Sequence, residues 1–288
     1  MDKLTLLENL ETVARKLRAL GLHPFTRLGR AILSALVRNI TIKIDGGLSL
    51  SGSIYHRGYL MSLRKGVREA YMTELFKQAL RPGQVVCDIR SYIGYYALLA
   101  AQHVGSSGKV FAFEPDPHNF AYLSLNVKTN HFENIVVTLQ KAVSDKSGCF
   151  DFYIYEGDRS QSSLFEVQER TVRKIQVETI ALDDFLAEPM AVDVVKIDIE
   201  GGEIRALRGM KRLLNRSPRL TMFVECNPKA LQRAGSSAKE LLQILEDNGF
   251  RVLVIDEAAK SLQMPDIGTI EKMKYVNLFC QRLDAYAG

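Results

Sequence analysis

The sequence predicts an α/β fold: a mostly parallel, seven-stranded sheet with an antiparallel last strand, preceded by an N-terminal extension of helices and a hairpin. Three observations carry this. After Arg81-Pro82-Gly83, apolar strand-like runs alternate with segments of helical period, the pattern of βαβ units. Runs such as Val252-Leu253-Val254-Ile255 lack polar alternation, as expected of strands covered on both faces. Between Ile255 and Tyr275 no long helical period appears. A return without a helix implies that the last strand runs antiparallel.

Leu7, Leu10, Ala14 and Leu17 recur at three and four residues, one face of a helix. Pro24 opens a second helical pattern with Leu28, Ala31, Ile32, Ala35 and Leu36. Residues 41–44 and 48–55 flank Asp45-Gly46-Gly47 as a hairpin. A helix over 69–80 stops at Pro82-Gly83, which is taken as the boundary between an extension, 1–80, and the α/β domain, 81–288. The extension is expected to cover the substrate side or to mediate oligomerisation. Strands are expected at 84–89, 108–114, 135–143, 192–199, 220–226, 251–255 and 275–280. Helices are expected at 92–103, 117–130, 203–214 and 237–248, and a β-ribbon is inserted at 149–155 and 171–180.

A net charge of +5 without a long block of one sign argues against a dedicated nucleic-acid binder. Arg15, Lys16, Arg18, Arg27, Arg30 and Arg38 make the first segment basic. Solvated helix faces account for them, with peripheral contact to anionic lipid as the minor alternative. Cys87, Cys149, Cys226 and Cys280 have no metal-like spacing and read as thiols of a reducing compartment. The charged start Met1-Asp2-Lys3 does not resemble a secretory signal, and the apolar run at 31–37 is too short to span a bilayer. A cytoplasmic location is expected.

The chemistry concentrates at strand ends. In Val194-Val195-Lys196-Ile197-Asp198-Ile199-Glu200-Gly201-Gly202-Glu203 an apolar strand carries charge at its carboxyl end and breaks at two glycines. Such charge is costly unless paired or used, and strand ends are where open α/β sheets bind ligands. Lys196 and Asp198 can form a purely structural ion pair. Alternatively Asp198, Glu200 and, at the end of the next strand, Glu225 surround a crevice, where they can take a proton, face a positive sulfonium or hold a cation. No metal ligand set is assigned. Glu203 is explained by the helix dipole. Asp88-Ile89-Arg90-Ser91-Tyr92-Ile93-Gly94 joins the first strand to its helix, the place of a nucleotide-type cofactor, although Gly94 is its one glycine. Glu114, before Pro115, ends the second strand about twenty residues later, where an acid grips ribose hydroxyls. Hydrolase elbows, zinc-protease helices and Walker loops are absent from the sequence.

In order and combination these segments resemble the FkbM family of S-adenosylmethionine (SAM)-dependent methyltransferases. The resemblance spans residues 70–280 and rests on Arg81–Asp88, Ile93–Ala101, Phe113-Glu114-Pro115-Asp116-Pro117, Ala142-Val143-Ser144-Asp145, Lys196–Glu203 and Asn277–Cys280. It implies a Rossmann-like class I methyltransferase fold and methyl transfer from SAM to a hydroxyl of a sugar, glycolipid or secondary metabolite. It also implies that Asp88, Ser91, Tyr92, Gly94, Glu114, Pro115, Ala142, Val143 and Asp198 contact SAM, while Asp198 and Glu200 face the methyl. Tyr95, Tyr96 and the ribbon near 160–164 are expected to shape the pocket. The family pattern Asp-Val-Gly-Ala-Asn-Ile-Gly is altered: Arg90 stands at its first glycine and Tyr92 at its asparagine. The competing expectation is therefore a catalytically silent scaffold. An NAD-type dehydrogenase, which Glu114 would also suit, lacks the required glycine pattern.

Overall fold

The computed structural model describes residues 39–155, 162–166 and 172–282. The two expected N-terminal helices, with their arginines, lie outside these residues. The chain divides into two compact units, one ending at Arg68 and the other starting at Glu69. In the first, strands β1 (Ile40–Lys43) and β2 (Ser49–Gly52) pair antiparallel around the turn Asp45–Gly47. In β1, Ile40 and Ile42 are buried while Thr41 and Lys43 are exposed, the period of a strand covered on one face. Helix α1 (Arg57–Arg64) follows.

The second unit begins with helix α2 (Ala70–Ala79), which the sequence reading had assigned to the extension. Strand β3 (Val85–Ile89) leads to helix α3 (Tyr95–Val104), and β4 (Lys109–Phe113) to α4 (Pro117–Thr129). Next come β5 (Val136–Leu139), β6 (Ala142–Val143), β7 (Gly148–Tyr155), β8 (Val172–Ile180), the short helix α5 (Leu182–Phe185) and β9 (Val194–Ile197). The chain continues through α6 (Glu203–Arg208), α7 (Lys211–Arg216), β10 (Thr221–Cys226), α8 (Pro228–Arg233), α9 (Ala238–Asp247) and β11 (Phe250–Asp256). It closes with β12 (Ser261–Gln263), α10 (Ile267–Ile270) and β13 (Val276–Arg282). The main sheet has the order β12-β11-β13-β10-β9-β3-β4-β5, with β13 antiparallel to both neighbours and β12 antiparallel to β11. The order and the reversed strand are those of the class I methyltransferase fold. The sheet has eight strands rather than seven, because β12 adds a short edge.

Two further expectations are corrected. The third strand ends at Leu139; Ala142 and Val143 leave the main sheet to pair parallel with β8, so the ribbon becomes a three-stranded sheet of its own. The helix expected over 203–214 is two helices. At the break, a Cβ on Gly209 would lie 2.0 Å from the Ser144 carbonyl oxygen. Strand residues Cys87, Ile89, Val195, Ile197, Met222 and Val224 form the core with Ile204, Leu213 and Leu241 of the covering helices. That burial fixes where the carboxyl ends of β3, β4, β9 and β10 emerge.

Candidate active site

Three of the predicted acids meet beyond the ends of β9 and β10. One carboxylate oxygen each from Asp198, Glu200 and Glu225 lies within 4.8 Å of the others. Asp198 is 3.2 Å from the Lys196 ammonium, so the structural ion pair is present. Glu200 has φ +53°, and its Oε2 accepts a 3.0 Å hydrogen bond from the Asn227 amide. Asn227 also caps α8, accepting from Ala230 N, which anchors this contact to a helix start. Burial raises the Glu200 pKa, opposed by Arg90. Burial, with the charges of Asp198, Glu200, Glu203 and Glu69, pushes Glu225 well above the ordinary carboxylate range.

The turn after β9 is built for close approach. Gly201 has φ +107°, and a Cβ there would lie 2.5 Å from the Ala230 carbonyl oxygen. Glu203 is fully buried and accepts from Ile199 N (3.2 Å) and Gly201 N (3.0 Å). It therefore staples the turn as well as sitting in the first turn of α6. Burial pushes its pKa up to about 7.

The loop after β3 is the altered one. Arg90 (φ +68°), Tyr92 (φ +55°) and Gly94 (φ +96°) all take the left-handed conformation, which costs residues with a Cβ about 1–2 kcal/mol each. For this reason α3 starts at Tyr95, three residues later than expected. The Arg90 side chain is 7% exposed. Its Nη1 donates to the Asp198 carbonyl oxygen at 3.3 Å and lies 3.8 Å from the Asp198 carboxylate. Burial works against its charge, but Asp198, Glu200, Glu114 and Glu225 outweigh that and raise its pKa.

Glu114 follows the end of β4 and is buried, and like Asp198, Glu200 and Glu225 it acts by its charge on Arg90. Its Oε2 accepts from Tyr92 N (2.9 Å), and its Oε1 from Asp116 N (3.0 Å) and the Asn119 amide (3.4 Å). Burial pushes its pKa up to about 8, against the pull of Arg90. Asp88 is buried, and among the described residues neither carboxyl oxygen has a hydrogen bond of good geometry, although Ser91 and the Ala97 backbone lie close enough to favour its charged form. The nearby Ser91 hydroxyl instead donates to the Asp88 carbonyl at 2.8 Å. Burial raises the Asp88 pKa, opposed by Lys196. Lys196 in turn lies over the Tyr96 ring, 4.9 Å from its centroid.

Pro115, Ala142 and Val143 line one cavity with Arg90 and the ribbon residues Ser162 and Leu164. Residues 160 and 161 lie outside the described residues. The cavity holds only about 20 Å³. Asp88, Ser91, Tyr92, Gly94, Glu114, Asp198, Glu200 and Glu225 are not on its wall. Sequence reasoning missed Glu69, which accepts from the Tyr96 hydroxyl at 3.1 Å, and Asn227. Asn227 follows the Glu225 strand end directly and was within reach of a strand-tip search. Glu69, ahead of a helix, offered no such signal.

Comparison with known proteins adds an independent line. The profile of the family described as "Methyltransferase FkbM domain" matches residues 88–252. The hexuronic acid methyltransferase AglP of Haloferax volcanii is 26% identical over 189 residues, covering 63% of this chain and 75% of that protein. The 31-O-demethyl-FK506 methyltransferase FkbM of Streptomyces tacrolimicus is 28% identical over 205 residues, covering 60% and 75%. Among solved structures, a SAM-dependent O-methyltransferase from Thermotoga maritima superposes with a TM-score of 0.44 at 14% identity, covering 84% of this chain and 77% of that one.

Proposed function

This chain belongs to the FkbM family of methyltransferase domains, and we propose on that premise that it methylates a hydroxyl oxygen of a sugar, glycolipid or secondary metabolite with SAM as donor. The observation that carries the reading is the convergence of Asp198, Glu200 and Glu225 at two adjacent strand tips, with Glu114 at a third. The similarity to a hexuronic acid methyltransferase supports a sugar-type acceptor. A hydroxyl must lose its proton as it is methylated, and a carboxylate whose pKa is raised is better suited to take it. Glu200 has that character, and Asn227 holds one of its oxygens. Asp198, paired with Lys196, is assigned an electrostatic part, and Glu225 is the second candidate base. Four unpaired cysteines support a cytoplasmic location. Among the described residues no helix is long and apolar enough to cross a membrane.

The acids have the right sign for a sulfonium. Glu114 keeps about one of its four lone-pair directions for a ribose, since three N–H groups take the others. The cavity beside Arg90, lined by Pro115, Ala142, Val143 and Ile199 but by none of these acids, holds about 20 Å³, against the roughly 300–1,000 Å³ of small-molecule sites, so a whole SAM does not fit that cavity as it stands. This favours a second reading, a methyltransferase-like binding protein without activity.

Mass spectrometry of reactions with SAM and a panel of hexuronic acid glycosides and secondary alcohols separates the two. The expected result is a one-methyl mass gain on a hydroxyl, abolished in a Glu200→Gln, Asp198→Asn double variant. Folded protein that methylates nothing and takes up no SAM at millimolar concentration, with or without Arg90, would overturn the enzyme reading.

A further inference from the structure

We infer that the Arg90 guanidinium sits where the cationic part of the donor would sit, so that donor affinity is set by withdrawing this side chain. The inference rests on the methyltransferase reading of the site and adds a residue to which the family pattern gives no such part.

The geometry is specific. Arg90 is an L-residue held at φ +68°, a conformation that persists only where the surroundings over-determine it. Its side chain has partners enough to do that. It donates to the Asp198 carbonyl and lies 3.8 Å from the Asp198 carboxylate. The charges of Glu200, Glu114 and Glu225 also favour its charged form. The same side chain walls the small cavity beside Pro115, Ala142 and Val143. A sulfonium entering this crevice meets a fixed positive charge as well as a filled volume, whereas a neutral thioether meets the volume alone.

That difference supplies the test. Isothermal titration compares SAM with S-adenosylhomocysteine on the full chain, as the parent protein and as Arg90→Gly and Arg90→Gln. Arg90→Gly removes both the charge and the volume. Arg90→Gln keeps most of the volume and loses the charge, and serves as the second variant should the glycine form fail to fold. The expected result is at least a tenfold gain in affinity for both ligands in Arg90→Gly. In Arg90→Gln the ratio of affinities should move at least fivefold toward SAM, a shift that a merely structural residue would not produce. If the parent binds SAM as tightly as Arg90→Gly, with the ratio unmoved in Arg90→Gln, the inference fails and the methyltransferase reading stands. If none of the folded proteins binds either ligand, both fail together.

Discussion

The loops leaving the neighbouring parallel strands β3 and β9 solve one problem in two ways. Both carry residues with a Cβ in the left-handed region, Arg90 and Tyr92 in one and Glu200 in the other. Both are stapled through backbone N–H groups by a buried carboxyl. The staple of the β9 loop is Glu203, two to four residues away on the helix that follows. The staple of the β3 loop is Glu114, on another strand end 22 residues along. Arg90 needs a second remote partner, Asp198, 108 residues away. The β9 loop has a local staple, and its one remote hydrogen bond named above, from Asn227 to Glu200, comes from the start of a helix. The other holds its shape only while its neighbours hold theirs, so it is the element whose state a ligand can change.

The largest expected effect tests the β9 loop. In Gly201→Ala the new Cβ would press on the Ala230 carbonyl at 2.5 Å with φ at +107°, and backbone there cannot yield. A loss of about 3 kcal/mol or more is expected, combining overpacking with a forbidden conformation. In Gly94→Ala the contact is the tip of Leu123 at 2.8 Å, which can rotate, so the loss should be about 1–2 kcal/mol. Urea unfolding of both variants settles the order. A Gly94→Ala loss larger than that of Gly201→Ala would invert the comparison.

The two staples differ next. In Glu114→Gln the amide nitrogen must face either Tyr92 N–H or the Asp116 pair, so one hydrogen bond is lost at about 1–3 kcal/mol. In Glu203→Gln the oxygen can keep both N–H donors at Oε1, while the 3.0 Å acceptor that Oε2 offers Gly201 N is lost, and because that donor keeps its other acceptor the loss should be about 1 kcal/mol. Their titration adds a signature. Burial raises Glu203 to about 7 and Glu114 to about 8, both above their value in the unfolded chain. The folded protein therefore keeps protons that the unfolded chain releases. Their contribution is full below about pH 4.5 and fades as pH rises through about 7 and then about 8. Thermal melts from pH 5 to 8.5 should show a falling midpoint. The slope should flatten below pH 7 in Glu203→Gln and up to pH 8 in Glu114→Gln. A midpoint that climbs across this window would sink the assignment.

The contrast between the loops also marks what the sequence could reveal. The sheet was legible because its strands are continuous apolar runs, and the reversed strand because no helical period precedes it. The acids at the ends of β4, β9 and β10 followed from the same strand positions. What escaped depends on contacts remote in sequence. Ala142 and Val143 follow the third strand after only Gln140-Lys141, yet pair with β8 more than thirty residues later. Gly209 reads as a tolerated glycine in a helix until Ser144 is brought against it. Arg90 was visible as a departure, but its burial against Asp198 is fixed only by the adjacency of β3 and β9. Local pattern reports on the frame; the conditional loop is written in pairings that no local window contains.

The smallest expected effect probes that loop directly. Tyr92 sits at φ +55°, where asparagine is several-fold better tolerated than an aromatic residue. Its N–H, which Tyr92→Asn retains, is the group held by Glu114. Relief of backbone strain should therefore stabilise Tyr92→Asn by up to about 1 kcal/mol, with the pH slope unchanged because Glu114 keeps its donor. Chemical denaturation at pH 6 and pH 8 reads both quantities. A loss of about 2 kcal/mol or more would mean that packing of the half-buried ring, and not the Glu114 staple, holds the loop. The β3 loop would then be held as locally as its neighbour, and Arg90 would have to leave the crevice without any help from the backbone beneath it.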